Sequence, residues 1–182
     1  GMSLANHDSP FANSGLVVTV EPHEFGGPHP LAGIWFQERC EKAAYALSGD
    51  DYKAPLQRAA DFMDGRVSDS VPESTHPRGG VSARMEEVLP PQVAEALRSG
   101  LPLMDRMWRG RLVPTSHLAG PETRGSSPVR IVRDSVTRQS PGIAGLYPVG
   151  EGAGYAGGIV SAGLDGLRSA ISVISRHRVP VA

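Results

Sequence analysis

The segment of this sequence with the clearest chemical potential is a glycine-rich stretch near its end, GLYPVGEGAGYAGGI. Glycine lacks a Cβ atom, so its backbone can adopt positive φ and approach a ligand closely. If a helix follows, the unpaired N–H groups of its first turn point at phosphate or carbonyl oxygens. We expect this stretch to bind an anionic ligand through its backbone. Its glycines are Gly150, Gly152, Gly154, Gly157 and Gly158.

The surrounding pattern predicts a strand at GLYPV, a glycine turn, and a helix from Tyr155 to about Arg176. Gly152, Gly154 and Gly157 satisfy GxGxxG. A dinucleotide fingerprint also needs a second strand and an acidic residue about 20 positions further on, and we expect no such unit here. The alternative is a turn built only for close helix packing. Each glycine costs up to about 1 kcal/mol relative to alanine inside a helix, which disfavours that alternative.

A second segment, SSPVRIVRD, alternates Val129 and Ile131 with Arg130 and predicts another strand. Arg124, Arg130 and Arg133 surround it. They are either solvated charges, with a salt bridge to Asp134, or groups that face an anionic ligand. Both interpretations stay open, and Tyr155 is likewise either a ligand-stacking or a packing residue.

Other reactive residue types give weaker signals. His23 and His29 lie in a Gly/Pro loop without metal-ligand spacing, so we expect no metal site. Ser161 is out of register with a nucleophile elbow. Cys40 is expected to be a small buried residue rather than a nucleophile. No residue is identified as catalytic.

The elements that must position these residues are mainly helical in the middle of the chain. Apolar spacing predicts a helix from Pro30 to about Leu47, a second that opens at Pro55 and stops at Gly65, and two short helices separated by Gly100. Residues 66–82 are predicted to form a long loop. Trp35 and Trp108 are expected as core anchors. A strand is predicted over Leu16–Glu21, and the two short helices over Pro91–Ser99 and Pro102–Arg109.

Composition excludes several broad classes. The 182 residues carry 18 basic and 19 acidic side chains, a net charge of −1, so no strong field attracts nucleic acid or an anionic membrane. A single cysteine excludes an intrachain disulfide or a CxxC redox pair. No apolar run reaches the ~18 residues of a membrane span, and no secretory signal is evident. We expect a cytoplasmic protein without nucleic-acid or membrane partners.

Several strings resemble one family, the bacterial FAD-dependent dehydrogenases named NAD(FAD)-utilising dehydrogenases, whose C-terminal region is a recognised domain of FAD-dependent proteins. The similarity covers nearly the whole chain. The strings are PFANSGLVV, HPLAGIWFQERCEKAAYAL, YKAPLQRAADFM, ETRGSSPVRIVRD and, most specifically, GLYPVGEGAGYAGGIVSAGLDG.

The resemblance implies an α/β fold, or α+β for a fragment: the C-terminal portion of a two-dinucleotide-fold FAD-binding domain with a mainly helical inserted region. Residues 1–120 would be the inserted, substrate-facing region, and residues 121–182 the C-terminal part of the FAD domain. The cofactor would be FAD, with NAD(P)H as an electron partner. The N-terminal FAD-binding half would come from the rest of the protein.

The same resemblance implies specific site residues. Gly150 and Glu151 would lie near the ribityl chain, and the backbone around Tyr155 to Ile159 near phosphate or the flavin C2 carbonyl. The full set of expected cofactor-binding residues is Gly150, Glu151, Gly152, Gly154, Tyr155, Ala156, Gly157, Gly158 and Ile159. Expected substrate- or flavin-facing residues are Arg124, Ser126, Ser127 and Arg130.

Three functions therefore stay open. The first is part of an FAD-dependent oxidoreductase that acts on a small-molecule substrate and is inactive as an isolated fragment. The second is a non-enzymatic nucleotide- or phosphate-binding module. The third is an inactive truncated product.

Overall fold

The computed structural model describes residues 5–177, which divide into two compact units. The first unit contains residues up to Phe25 and Phe36–Glu122, and the second contains Gly26–Trp35 and the residues from Thr123 onward. The elements are α1 (Ala32–Leu47), β1 (Ala54–Arg58), α2 (Ala59–Met63), β2 (Gly80–Ser82), α3 (Pro91–Met107), α4 (Leu112–Thr115), β3 (His117–Ala119) and α5 (Ile159–Arg176), with 3-10 turns at Pro22–Phe25 and Met85–Glu87.

The described residues form one three-stranded sheet, in the first unit, with β1 at its centre. Strand β1 pairs in parallel with β2, where Leu56 lies opposite Ser82, and antiparallel with β3, where Leu56 lies opposite Ala119. Leu56 and Gln57 are fully buried. Gln57 donates from Nε2 to Arg66 O (2.8 Å) and accepts from Met85 N–H (2.8 Å), which satisfies its buried amide.

The main apolar core of this unit lies between the helices. Phe62, Met85, Val88, Ala94 and Leu101 form its buried centre. Half-buried apolar side chains from α1, α3 and α4 pack around them: Ala43, Ala44, Leu47, Leu97, Leu112 and Val113. The fold is therefore a mixed α/β structure, as the expectation of α+β for a fragment allows.

The predicted helix α1 is confirmed, whereas the helix predicted to open at Pro55 is wrong in its first half. Residues 54–58 form strand β1, and helix begins only at Ala59. Local apolar spacing favours a helix that includes Leu56, but hydrogen bonding of residues 54–58 to β2 and β3 overrides that local preference. The predicted loop over residues 66–82 also contributes the short strand β2 at its end.

Two further expectations are corrected in the first unit. The two short helices around Gly100 are one continuous helix, α3, which passes through Gly100 and Pro102. Burial of Ala94 and Leu101 on one face of α3 offsets the poor helix propensity of Gly100 and Pro102. Residues 16–21 alternate between half-buried and exposed side chains as a strand does, but they join no ladder of the described sheet.

The tryptophans are not core anchors. Trp35, in the second unit, is 50 % exposed and stacks on His29 with ring centroids 4.4 Å apart. Trp108 follows the end of α3 and is 64 % exposed. Their spacing matched a helical pattern, but spacing alone does not show which face of a helix meets the core.

Apart from residues 26–35, which include the start of α1, the second unit consists of α5 and the loops before it. The strands predicted at 126–134 and 145–149 are absent from the described residues, where both segments are irregular. Single hydrogen bonds take the place of a repeating ladder: the N–H of Ile131, for example, donates to the carbonyl oxygen of Ala153 in the glycine stretch (3.1 Å). The final helix begins at Ile159, four residues later than predicted, because Gly158 is its extended N-cap residue.

Two glycine-to-alanine substitutions with opposite expected effects check this packing. A Cβ at Gly80 would collide with the fully buried Leu56 side chain, lying 2.7 Å from its Cγ, whereas a Cβ at Gly100 in α3 meets no described atom within 4 Å. We expect Gly80→Ala to lower the free energy of unfolding by about 1–3 kcal/mol. Gly100→Ala should raise it by up to about 1 kcal/mol. Urea denaturation measures both; a neutral Gly80→Ala would show that β2 is loosely packed.

Candidate functional site: the glycine turn and its ion-pair cluster

The second unit is organised around one carboxylate on α5. Asp165 is nearly buried and accepts two hydrogen bonds from Arg133, Nη1 to Oδ2 at 2.9 Å and Nη2 to Oδ1 at 2.7 Å. The same Oδ2 accepts from Gly150 N–H at 2.9 Å. Arg133 Nη1 also donates to Pro148 O at 2.7 Å. The carboxylate therefore connects the loop before the glycine turn, the turn itself and the helix after it.

A second arginine completes the cluster from the loop at 134–140. Arg138 forms an ion pair with Asp165 through Nη2, and its Nε donates to the buried Ser169 hydroxyl at 2.8 Å. Arg138 has a positive φ of 59°. This conformation is uncommon for residues other than glycine. The two buried side chains of α5, Asp165 and Ser169, are thus polar, and their contacts with the preceding loops are ionic and hydrogen-bonded.

This environment shifts the acid–base equilibria of the cluster. The Arg133 guanidinium, followed by the Gly150 N–H and Arg138, holds the pKa of Asp165 well below its usual range, although burial alone would raise it. The same hydrogen bond to Asp165 raises the pKa of Arg133. Both groups are charged at neutral pH, so the cluster is structural rather than a proton donor or acceptor.

The glycine turn between these loops and α5 has two positions that require glycine for internal reasons. Gly150 has φ of 73° and Gly154 has φ of 82°. A Cβ at Gly154 would also lie 2.9 Å from Arg130 Cα and collide with Val129 O. Gly154 N–H donates to Glu151 O (2.8 Å), and Tyr155 N–H donates to Gly150 O (3.0 Å), which closes the turn.

Residues 127–133 lie against this turn. Ser127 Oγ is 3.2 Å from Gly152 O, and Arg130 Nε donates to Gly154 O at 2.9 Å. The Tyr155 ring contacts two guanidinium groups, with Arg133 Cζ 3.5 Å and Arg130 Cζ 5.2 Å from its centroid. The Tyr155 hydroxyl donates to Ile131 O at 2.9 Å. Tyr155 therefore packs within the unit, and its predicted flavin contact stays a prediction.

Other glycines of the turn are not required by internal packing. A Cβ at Gly152 or Gly157 would meet no described atom within 4 Å, and one at Gly158 would meet only Ser161 Oγ at 3.6 Å. Gly157 and Ile159 are exposed. The first intrahelical hydrogen bond of α5 runs from Ala162 N–H to Gly158 O, so the three preceding helical N–H groups belong to its open N-terminus.

The structure brings together most of the expected site residues. The expected cofactor-binding residues, 150–152 and 154–159, form a continuous turn and helix start. Ser127 and Arg130 contact it. Arg124 and Ser126 are exposed residues of the preceding loop. That these four residues face substrate or flavin stays a prediction.

The residue on which the turn depends, Asp165, has no motif that marks it in the sequence, where Asp134 is the expected partner of Arg133. Asp134 instead accepts from Val136 N–H (3.0 Å) and Thr137 N–H (2.7 Å), which caps a local turn and lowers its own pKa. One signal was available: Asp165 lies among apolar and small residues of a helix, where an unpaired carboxylate is costly.

The remaining candidates carry no reactive arrangement. Cys40 is buried, as expected; its Sγ donates to Phe36 O (3.4 Å), and burial raises the pKa of its thiol. Across residues 5–177, no three His, Cys, Asp or Glu side chains form a metal-binding group. Within that range, too, no helix has the length and apolar character needed to cross a membrane.

The fold and the turn define a mixed α/β chain with an open, glycine-lined helix N-terminus. The family model for the C-terminal domain of FAD-dependent proteins matches residues 1–125, and the chain belongs to this family. An uncharacterized protein of Clostridium beijerinckii is 43 % identical over 182 residues, covering 99 % of this chain. The chain spans 34 % of the length of that relative. Family membership connects the chain with FAD, and the glycine turn lies beyond the matched residues.

Removal of the Asp165 charge tests its role in the unit. We expect Asp165→Asn to lower the free energy of unfolding by about 3–5 kcal/mol, because it leaves two nearly buried arginines without their carboxylate. Asp134→Asn is the matched control: the exposed side chain keeps an oxygen that can accept its turn bonds, so we expect a much smaller loss than for Asp165→Asn. Equal losses in urea denaturation would refute the assignment.

The lowered pKa of Asp165 also predicts a pH dependence. A depressed folded-state pKa gives stability that is fully present above the unfolded-state value of about 3.9 and is lost as pH falls through the folded-state pKa. The stability difference between the native chain and Asp165→Asn should be constant from pH 5 to pH 7 and shrink below about pH 4. Urea denaturation across this range measures the difference; shrinkage already at pH 6 would contradict the shift.

Proposed function

We propose that this chain contributes the flavin and ribityl side of the FAD site in an FAD-dependent oxidoreductase. The observation that carries the proposal is the open space at Gly152 and Gly157, in the stretch that leads into the N-terminus of α5, in a member of an FAD-dependent family. Backbone conformation and packing explain why residues 150 and 154 are glycines. Nothing in the described fold requires glycine at Gly152 or Gly157.

The residues present fit the chemistry of a phosphate- and carbonyl-bearing cofactor. The N–H groups of Ile159, Val160 and Ser161 form the positive end of the α5 dipole, which favours an anionic group or a carbonyl oxygen. The absence of a Cβ at Gly157 leaves space for a ligand to approach this end. In this proposal the backbone binds the cofactor and the Asp165 cluster holds the backbone in place.

FAD, when bound, supplies hydride or electron transfer, which the side chains of this chain do not provide. The positive end of α5 would stabilise negative charge on the reduced flavin and so raise its reduction potential. Exchange of electrons with NAD(P)H and a small-molecule substrate belongs to the proposal and rests on the family resemblance. The proposal also includes the larger two-dinucleotide fold, whose other FAD-binding half the rest of a longer polypeptide would supply.

An absorbance spectrum tests the cofactor assignment. The 182-residue chain is purified with and without added FAD, beside a chimeric protein in which this chain replaces the matching third of the Clostridium beijerinckii relative. We expect flavin bands in the chimeric protein and weak or no binding by the chain alone. Binding of a nucleotide or phosphate without flavin in either protein would favour the non-enzymatic binding module. A folded chimeric protein that binds none of these ligands would favour the inactive product.

Substitution at Gly157 tests directly whether a ligand approaches the backbone there. A Cβ there would meet no described atom within 4 Å, so we expect the fold to tolerate a valine while a ligand loses its approach to the backbone. We expect Gly157→Val in the chimeric protein to abolish flavin retention with little change in melting temperature. Gly100→Val, at another unobstructed glycine, should retain flavin. Retention of flavin at native stoichiometry by Gly157→Val would refute the proposed contact.

A further inference from the structure

Helix α5 is amphipathic in the reverse of the usual sense. Its inner face carries Asp165 and Ser169, which are buried, and Ser172, whose hydroxyl donates to Thr137 O at 2.7 Å, with the half-buried Ala162 and Val173 beside them. Its outer face carries the large apolar side chains, defined here as the α5 stripe: Val160, Leu164, Leu167, Ile171 and Ile174. A surface helix ordinarily directs its apolar side toward the core.

The spacing of the α5 stripe makes it a continuous surface. Its members follow one another at intervals of four, three, four and three residues, which places them within about 80° of the helix circumference and over about 21 Å of its length. Their exposure ranges from 46 % at Leu164 to 84 % at Val160. Single exposed apolar residues are common, but an aligned row of five is typical of an interaction surface.

The described part of the second unit has no buried cluster of large apolar side chains that could account for this arrangement. From residue 123 to residue 177 the buried residues are Pro148, Gly150, Ala153, Asp165 and Ser169, and in residues 26–35 they are Ala32 and Gly33. None of these has a large apolar side chain. Ion pairs and backbone hydrogen bonds hold this segment together, while its large aliphatic side chains remain outside. A unit of this kind lacks the apolar burial that normally offsets the entropy of folding.

We infer that the α5 stripe is the docking surface for an apolar face of the FAD-binding half of the same polypeptide. This inference rests on the proposed function for the identity of that half. The relative from Clostridium beijerinckii aligns with 99 % of this chain yet is about three times as long, so it has chain available outside the matched region. Docking there completes a core of which this chain supplies one side.

The size of the stripe favours a partner within one polypeptide over a second copy of the chain. A face about 21 Å long and about 10 Å wide offers roughly 200 Å², whereas a stable complex between separate proteins buries about 800 Å² on each partner. A covalently linked partner loses far less translational and rotational entropy on docking, so a small apolar surface is sufficient for a stable contact. Docking also fixes α5, whose N-terminus and Asp165 define the glycine turn.

The test compares Ile171→Asp in the 182-residue chain and in the chimeric protein. Ile171 is 54 % exposed, so we expect no more than a small change in the melting temperature of the chain alone. In the chimeric protein we expect a fall of about 5 °C or more. Ile171→Leu should behave as the native protein, and Ala170→Asp, an exposed neighbour outside the stripe with the same charge change, should have little effect.

Carbene footprinting provides a second measurement that does not depend on a variant. The stripe residues should be labelled in the chain alone and protected in the chimeric protein, while Arg168 remains labelled in both. If the chimeric protein does not fold, the same measurement is made on the native Clostridium beijerinckii relative at the aligned positions. Labelling of those positions in the folded, longer protein overturns the inference.

Other partners of the α5 stripe would give different results. A stable dimer of the 182-residue chain in sedimentation velocity, dissociated by Ile171→Asp, would identify a second copy instead. Binding to phosphatidylcholine vesicles, abolished by the same variant, would identify a lipid surface. Flavin content is recorded separately: protection of the stripe without flavin retains the docking surface and refutes only its FAD-binding identity, whereas flavin retention with an unprotected stripe refutes only the docking inference.

Discussion

The second unit depends on the burial of one carboxylate. The Asp165 carboxylate accepts hydrogen bonds from Arg133, Arg138 and the Gly150 N–H, and so joins α5 to both preceding loops and to the glycine turn. A nearly buried carboxylate is stable only when its hydrogen-bonding capacity is filled, and here the partners that fill it are the elements that must be aligned. The geometry of the candidate ligand site follows from this single constraint.

The two units are stabilised by different physical means. The first contains a three-stranded sheet and a cluster of buried apolar side chains around Phe62 and Met85. The segment from Thr123 onward is held by arginine–carboxylate contacts, and the apolar side of its helix faces outward. This difference explains why an electrostatic cluster and an exposed apolar stripe occur on one helix: they are its inner and outer faces.

The glycines of the turn separate into two groups by their surroundings. Gly150 and Gly154 have positive φ, and a Cβ at Gly154 would collide with residues 129–130, so the fold itself requires them. Gly152 and Gly157 border open space. A glycine that packing does not require, next to an open helix N-terminus, favours a turn that binds a ligand over a turn built only for helix packing. The family of the chain gives that ligand its proposed identity.

The sequence by itself determined the positions of the glycine turn, helix α1 and the final helix, because these depend on local periodicity and on residues with strong backbone preferences. It also carried the resemblance to FAD-dependent proteins. Only the tertiary structure decided that residues 54–58 form a strand and that Asp165 pairs with Arg133. Strand pairing and ion pairing join residues far apart in the chain, here by 32 positions for the ion pair, and local sequence patterns do not encode which distant partner is chosen.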